Sequence, residues 1–122
     1  MSVPKTILIV DDSKVSRMMI KAVIKDLQPD WTLLEAGNAD EAFKVDAANQ
    51  INYYSIDLNM PGKDGLELIG QLKKNNPNAI YALLTANIQE HIRETADSLG
   101  AYCINKPITE ASIGKMLEYF NG

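Results

Sequence analysis

The chain has 122 residues, 46% hydrophobic and 23% charged, with a net charge of −4. That length suits one domain with a full core, expected over 1–122, and the acidic balance argues against nucleic acid or an anionic membrane as partner. Cys103 is the single cysteine, which excludes an internal disulfide, and no apolar run reaches signal-peptide or transmembrane length, so a cytoplasmic location is expected.

The β-branched run 6–10 (TILIV) predicts a strand buried on both faces. After Asp11-Asp12-Ser13, the residues Val15, Met18, Met19, Ala22 and Val23 recur at helical spacing, with Asp12 or Ser13 placed to cap and Pro29 beyond the end. A second strand is expected over 31–36, then a helix marked by Ala39, Ala42, Phe43 and Ala47 that Asn38 can cap. A third strand is expected over 51–57, and Leu66, Ile69 and Leu72 mark a helix that stops before Pro77. The run 79–85 reads as a fourth strand, followed by a helix through Ile88, Ile92, Ala96 and Leu99 that ends at Gly100. The fifth strand is 101–105, and past Lys106-Pro107 a last helix carries Ile113, Met116, Leu117 and Phe120.

Strict alternation predicts an α/β fold with a parallel sheet, in which ligands bind beyond the carboxyl ends of the strands. What stands just after each strand therefore matters most. Strand 1 ends at Asp11-Asp12, strand 3 at Asp57, strand 4 at Thr85 and strand 5 at Lys106, whereas the Glu35-Ala36-Gly37 end of strand 2 looks plain. If strands 1 and 3 are neighbours, Asp11, Asp12 and Asp57 converge. Three carboxylates in one crevice repel, and a hard cation relieves them; Mg²⁺ fits best because it uses few carboxylates and bridges to phosphate. Asp57 can then attack a phosphoryl group as a carboxylate nucleophile. Lys106 supplies a compact positive charge to the phosphoryl oxygens, Thr85 a hydroxyl donor, and the small Ala86 leaves the position open. Taken singly, each has an ordinary role: Asp12 a helix cap, Asp57 a turn residue, Thr85 a strand former, Lys106 a solvated lysine. Their placement on one edge of one sheet is what favours chemistry.

The stretches ILIVDDS, DLNMPGKDG, LLTAN and NKP, in that order, resemble the receiver domain of two-component response regulators, in a stand-alone, chemotaxis-type form. The resemblance covers essentially the whole chain. It implies a (βα)5 doubly wound, flavodoxin-like fold with a five-stranded parallel sheet of order 2-1-3-4-5. It implies Asp57 as phosphoacceptor, with a sensor histidine kinase as phosphodonor. Mg²⁺ would be held by Asp12 directly, by Asp11 mainly through water, by Asp57 and by the Asn59 backbone carbonyl. Thr85 and Lys106 would contact the phosphoryl group, the Lys106–Pro107 bond would be cis, and Asn59 and Asn87 would govern how fast water reaches it. By the same resemblance the chain is a monomer that promotes its own phosphorylation and dephosphorylation without being a turnover enzyme. Its output would be a protein target bound through helix 4, strand 5 and helix 5, near Gln89, His91, Ile92, Tyr102, Cys103 and Lys115.

Two departures from that pattern stand out. Receivers usually carry an aromatic three residues before the strand-5 lysine; here that position is Cys103, and Tyr102 beside it should face the other way. Strand 3 carries Tyr53, Tyr54 and Ser55, whose hydroxyls need partners if buried. The missing aromatic keeps open a phosphate relay or sink without its own target. A haloacid-dehalogenase-like phosphatase is a further alternative, but it wants a second Asp where Asn59 stands. A flavodoxin-like nucleotide binder would need a Gly-rich loop after strand 1, and there is none. Pro61, Gly62 and Gly65 read as turn chemistry and Asp64 as a plain turn residue.

Overall fold

One parallel sheet of strand order β2-β1-β3-β4-β5 organises the chain, with a helix after each strand. The computed structural model describes residues 4–60 and 62–121, so Pro61 of the expected turn lies outside the described residues. The elements are β1 (Thr6–Val10), α1 (Lys14–Leu27), β2 (Thr32–Ala36), α2 (Ala39–Ala48) and β3 (Tyr53–Asp57). They continue with α3 (Gly65–Asn75), β4 (Ile80–Thr85), α4 (Glu90–Ser98), β5 (Ala101–Asn105) and α5 (Glu110–Phe120). Among the described residues no helix is long and apolar enough to cross a membrane.

Side-chain alternation divides the core into two layers. Ile7, Ile9, Tyr53, Ala82, Leu84 and Ile104 pack on Ile20 and Ile24 of α1 and on Ile113, Met116 and Phe120 of α5. Leu8, Val10, Tyr54, Ile56, Tyr81 and Leu83 pack on the other face, against Ala42 of α2, Leu68, Ile69 and Leu72 of α3 and Ala96 of α4. Central strand β3 is buried along its whole length, which explains why its pattern shows no polar alternation.

Of the three β3 hydroxyls, that of Tyr54 finds partners, whereas Ser55 Oγ is buried without one. The Tyr54 hydroxyl donates to Asp46 and accepts from Asn76 Nδ2 at 3.0 Å, while its ring stacks on Tyr81 at 4.5 Å. Tyr81 in turn donates to the Asn76 carbonyl at 2.8 Å. Burial, and for Tyr54 the bond to Asp46, push both phenols far above their usual range, so both stay protonated donors. Tyr53 packs on the other face between Trp31 and Phe120, at ring separations of 5.1 and 4.6 Å.

The helix starts follow local chemistry. Ser13, rather than Asp12, caps α1 by accepting from the Ser16 N–H, and Asn38 caps α2 by accepting from the Glu41 N–H. Asp64 is not the plain turn residue expected: its Oδ1 accepts from the Glu67 N–H at 2.9 Å and caps α3. Helix α4 begins at Glu90, so Ile88 lies in the preceding loop rather than in the helix.

Candidate functional site

Asp11 sits just past β1 and is 2% exposed. Its N–H donates to the Ala36 carbonyl at 3.1 Å, and its Oδ1 accepts from the Ser13 N–H at 2.9 Å. The second bond turns the amino end of α1, with its partial positive charge, toward the carboxylate. The other oxygen, Oδ2, is buried without a hydrogen-bond partner. Its nearest opposite charge is Lys106 Nζ at 3.6 Å, a Coulombic contact too long for a good hydrogen bond.

Asp57 closes β3 with its side chain 7% exposed, and Oδ1 lies 2.9 Å from Lys106 Nζ. Burial pushes its carboxyl above the usual range; the Lys106 bond opposes that, and the charges of Asp11 and Asp12 reinforce it. Burial pulls the Lys106 ammonium down, but the bond to Asp57 and the charges of Asp57 and Asp11 outweigh it and hold it above its ordinary range. Lys106 is therefore a fixed cation. Its backbone N–H donates to the Thr85 carbonyl at 2.9 Å, and its peptide bond to Pro107 is cis.

Asp11, Asp12 and Asp57 each present a carboxylate oxygen within 4.8 Å of the others. One lysine against three carboxylates leaves the crevice short of positive charge, and the orphaned Asp11 oxygen marks where it is short. An all-oxygen donor set of this kind fits Mg²⁺. Asp11, Asp57 and Lys106 continue the sheet face that packs on α1 and α5, so this chemistry gathers on one side of the edge.

Thr85 lies on the other side. It is 2% exposed, and its Oγ1 accepts from the Asn87 N–H at 3.3 Å and donates to the Asn87 carbonyl at 3.4 Å. Both bonds are long, so the hydroxyl is loosely held. With Asn59, Ala86, Asn87, Gln89 and Ile92 it lines a cleft of about 350 Å³. A larger hollow of about 590 Å³, bordered by Asp46, Ile51, Asn52 and Asn76, lies by the residues that precede β3 and follow α3, at the opposite end of the sheet.

Several residues behave differently from expectation. Gly65 is a glycine because of close approach, not because of a turn: a Cβ there would lie 2.4 Å from the Asp57 carbonyl oxygen and 2.9 Å from Leu83 Cδ1. Gly62, at φ 86°, does need glycine for its backbone. Tyr102 and Cys103 do face opposite ways, as strand alternation predicts: Tyr102 is exposed and stacks on Tyr119 of α5 at 4.4 Å, and Cys103 packs half-buried in the layer that holds α4. The strand-2 end is not plain either, because Glu35 binds Arg17 Nε at 3.0 Å and Lys21 Nζ at 2.8 Å. Neither Arg17 nor Glu35 carries a sequence signal that separates it from an ordinary surface charge.

Comparison with known proteins agrees with the geometry. Residues 7–118 match the response regulator receiver domain family. Chemotaxis protein CheY of Listeria monocytogenes is 34% identical over 95 residues, which are 78% of this chain and 79% of that protein. Transcriptional regulatory protein GlnL of Bacillus subtilis is 33% identical over 115 residues, 90% of this chain; the chain spans 35% of GlnL's length. Response regulator protein TrrA of Thermotoga maritima, solved in complex with Mg²⁺-BeF, superposes with a TM-score of 0.80 at 26% identity, covering 95% of this chain and 98% of TrrA.

Two outcomes follow from the packing and charge of the site. Gly65→Ala should cost about 1–3 kcal/mol, because the methyl forces the Asp57 strand end aside; urea unfolding reads this, and an unchanged midpoint contradicts it. Asp57 has its folded pKa raised, so its stabilising contribution is full below the ordinary Asp range and is lost as pH rises through the folded value. At pH 7 without divalent cations, Asp57→Asn should therefore raise the thermal midpoint, and the gain should shrink as pH falls below the carboxylate range.

Proposed function

The chain belongs to the response regulator receiver domain family, and from that premise we propose that Asp57 accepts a phosphoryl group from a sensor histidine kinase and that the phosphorylated form signals by binding a protein partner. One observation carries this reading: a buried Asp57 carboxylate, 2.9 Å from Lys106 Nζ, in a crevice whose other two carboxylates leave it short of positive charge.

Lys106 holds Oδ1 of Asp57, so Oδ2 is the freer oxygen to attack phosphorus. The bond from phosphorus to the donor's leaving group breaks as the new P–O bond forms, and the product is an acyl phosphate on Asp57. The leaving group is the imidazole of a phosphohistidine, or acetate from acetyl phosphate. Lys106 moves its charge from the carboxylate to the phosphoryl oxygens, and the loosely held Thr85 hydroxyl donates to one of them. Asp11, Asp12, Asp57 and the Asn59 backbone carbonyl are the residues that would hold Mg²⁺, which when bound offsets the negative charge that otherwise repels the donor. The Mg²⁺-BeF complex of TrrA, a protein of the same fold, supports that assignment.

The donor's approach is suggested by α1. Val15, Met18 and Met19 are exposed there at 66%, 58% and 45%, within the first two turns after the capping residue Ser13 that binds Asp11. Output is assigned to the face of α4, β5 and α5, where exposed Tyr102 stacks on partly buried Tyr119 and Gln89 and Ile92 border the Thr85 cleft. Phosphorylation can favour a partner-binding conformer only as far as the partner distinguishes the two states. Cys103 in place of the aromatic favours a second reading, a phosphate relay that passes the group to another histidine and binds no target of its own. A chemotaxis role rests on the likeness to CheY proteins.

Incubation with acetyl phosphate and Mg²⁺, read by intact mass, should give one phosphoryl adduct that is lost in Asp57→Asn and strongly reduced without Mg²⁺. An adduct that persists in Asp57→Asn removes the proposed acceptor.

A further inference from the structure

We infer that Arg17, held by Glu35, is a positioning residue for the carboxylate site: it fixes the Asp11 backbone so that Oδ2 points at the cation position. The inference rests on the magnesium site assigned to Asp11, Asp12 and Asp57.

Three constraints converge on Asp11. Its N–H is tied to β2 through the Ala36 carbonyl at 3.1 Å, and its Oδ1 is tied to the start of α1 through the Ser13 N–H at 2.9 Å. Its carbonyl accepts from Arg17 Nη1 at 2.5 Å. With both backbone groups and one carboxylate oxygen engaged, the remaining oxygen has little freedom, and it is the one left without a partner. Arg17 is itself fixed, since Nε donates to Glu35 Oε1 at 3.0 Å and its side chain is 17% exposed. Glu35 is anchored in turn by Lys21 at 2.8 Å, and the Lys21 and Arg17 contacts outweigh burial to hold its carboxyl below the usual range, so it stays ionised. Strand β2 thus contributes to the site through a guanidinium bridge rather than through a residue that faces the ligand. The planar fork of arginine suits this, because it can donate to a carbonyl and a carboxylate at once while a lysine has a single head. Groups that orient a ligating carboxylate affect metal affinity although they never touch the metal.

The sign of the effect separates this role from simple electrostatics. A cation beside a cation site repels the incoming ion, so by charge alone removing Arg17 should tighten Mg²⁺ binding. A positioning role predicts the opposite. Mg²⁺ dissociation constants, measured by calorimetry on wild type, Arg17→Met, Arg17→Lys and Glu35→Gln, together with thermal midpoints in EDTA, decide the matter. Arg17→Met keeps the apolar stem and should weaken Mg²⁺ binding about tenfold, the scale of lost outer-shell contacts. Arg17→Lys should fall between it and wild type. Glu35→Gln should weaken binding less than Arg17→Met does, and should have no further effect when combined with it. Unchanged or tighter binding in Arg17→Met overturns the inference, whatever happens to the midpoint. If Arg17→Met does not fold, Glu35→Gln with wild-type affinity overturns it equally. Wild-type protein that binds no Mg²⁺ removes the site itself, a failure distinct from that of Arg17.

Discussion

The short contact between Lys106 Nζ and Asp57 Oδ1 spans the ends of β5 and β3, and the rest of the carboxyl edge is arranged around it. A buried carboxylate costs several kcal/mol unless it is paired, on the order expected for any buried ion. Here one lysine must serve both Asp57, at 2.9 Å, and Asp11, at 3.6 Å, while Asp12 adds a third negative group. The pair therefore offsets only part of that cost and leaves the crevice short of positive charge. That shortage explains the raised Asp57 carboxyl, the orphaned Asp11 oxygen and the fit to a hard cation in the same terms. It also matches the task of a nucleophile whose partner lysine must be able to turn to an incoming phosphoryl group.

The architecture reaches this arrangement through strand periodicity. The same two-residue alternation that sends Ile7 and Ile9 toward α1 and α5 carries Asp11 to that side, and Asp57 and Lys106 follow from β3 and β5. Thr85 follows Tyr81 and Leu83 to the other face, where the cleft under α4 begins. Two halves of the edge are thus tied to different helices: the acids and the lysine to α1 and α5, the hydroxyl to α4. A group bound between them would touch both, which is a physical route from the site to the surface of α4, β5 and α5. Gly65 belongs to the same design, since it lets α3 start against the backbone of Asp57 with no side chain between.

Much of this was legible in the sequence, and the parts that were not share a cause. Strands over 6–10 and 101–105 have the expected bounds, because each run is closed by polar or Gly residues that mark its ends. The strands expected from 31, 51 and 79 start one or two residues later, since Trp31 and Ile51 are buried without pairing; apolar character reports burial, not ladder bonds. The convergence of Asp11, Asp12 and Asp57 depended on strands 1 and 3 being neighbours, an order that the family resemblance implied and the β1–β3 pairing realises. Arg17, Glu35 and the reason for Gly65 were not legible, because each depends on a contact between elements far apart in the chain. No spacing rule distinguishes an arginine that reaches a strand-end carbonyl from one that faces water. The Tyr54 hydroxyl lacked an account for the same reason, until Asp46 and Asn76 appeared beside it.

If the crevice is short of positive charge, a cation that fills it must stabilise the native fold. The unfolding midpoint of the wild-type chain at pH 7, followed as MgCl₂ is titrated against NaCl of matched ionic strength, tests this directly. Mg²⁺ should raise stability with the logarithm of its concentration, as a single-site ligand does, by about 1.4 kcal/mol at ten times its dissociation constant, while NaCl should not. A midpoint that responds alike to both salts would contradict the account, because the carboxylates would then have no specific need for the ion.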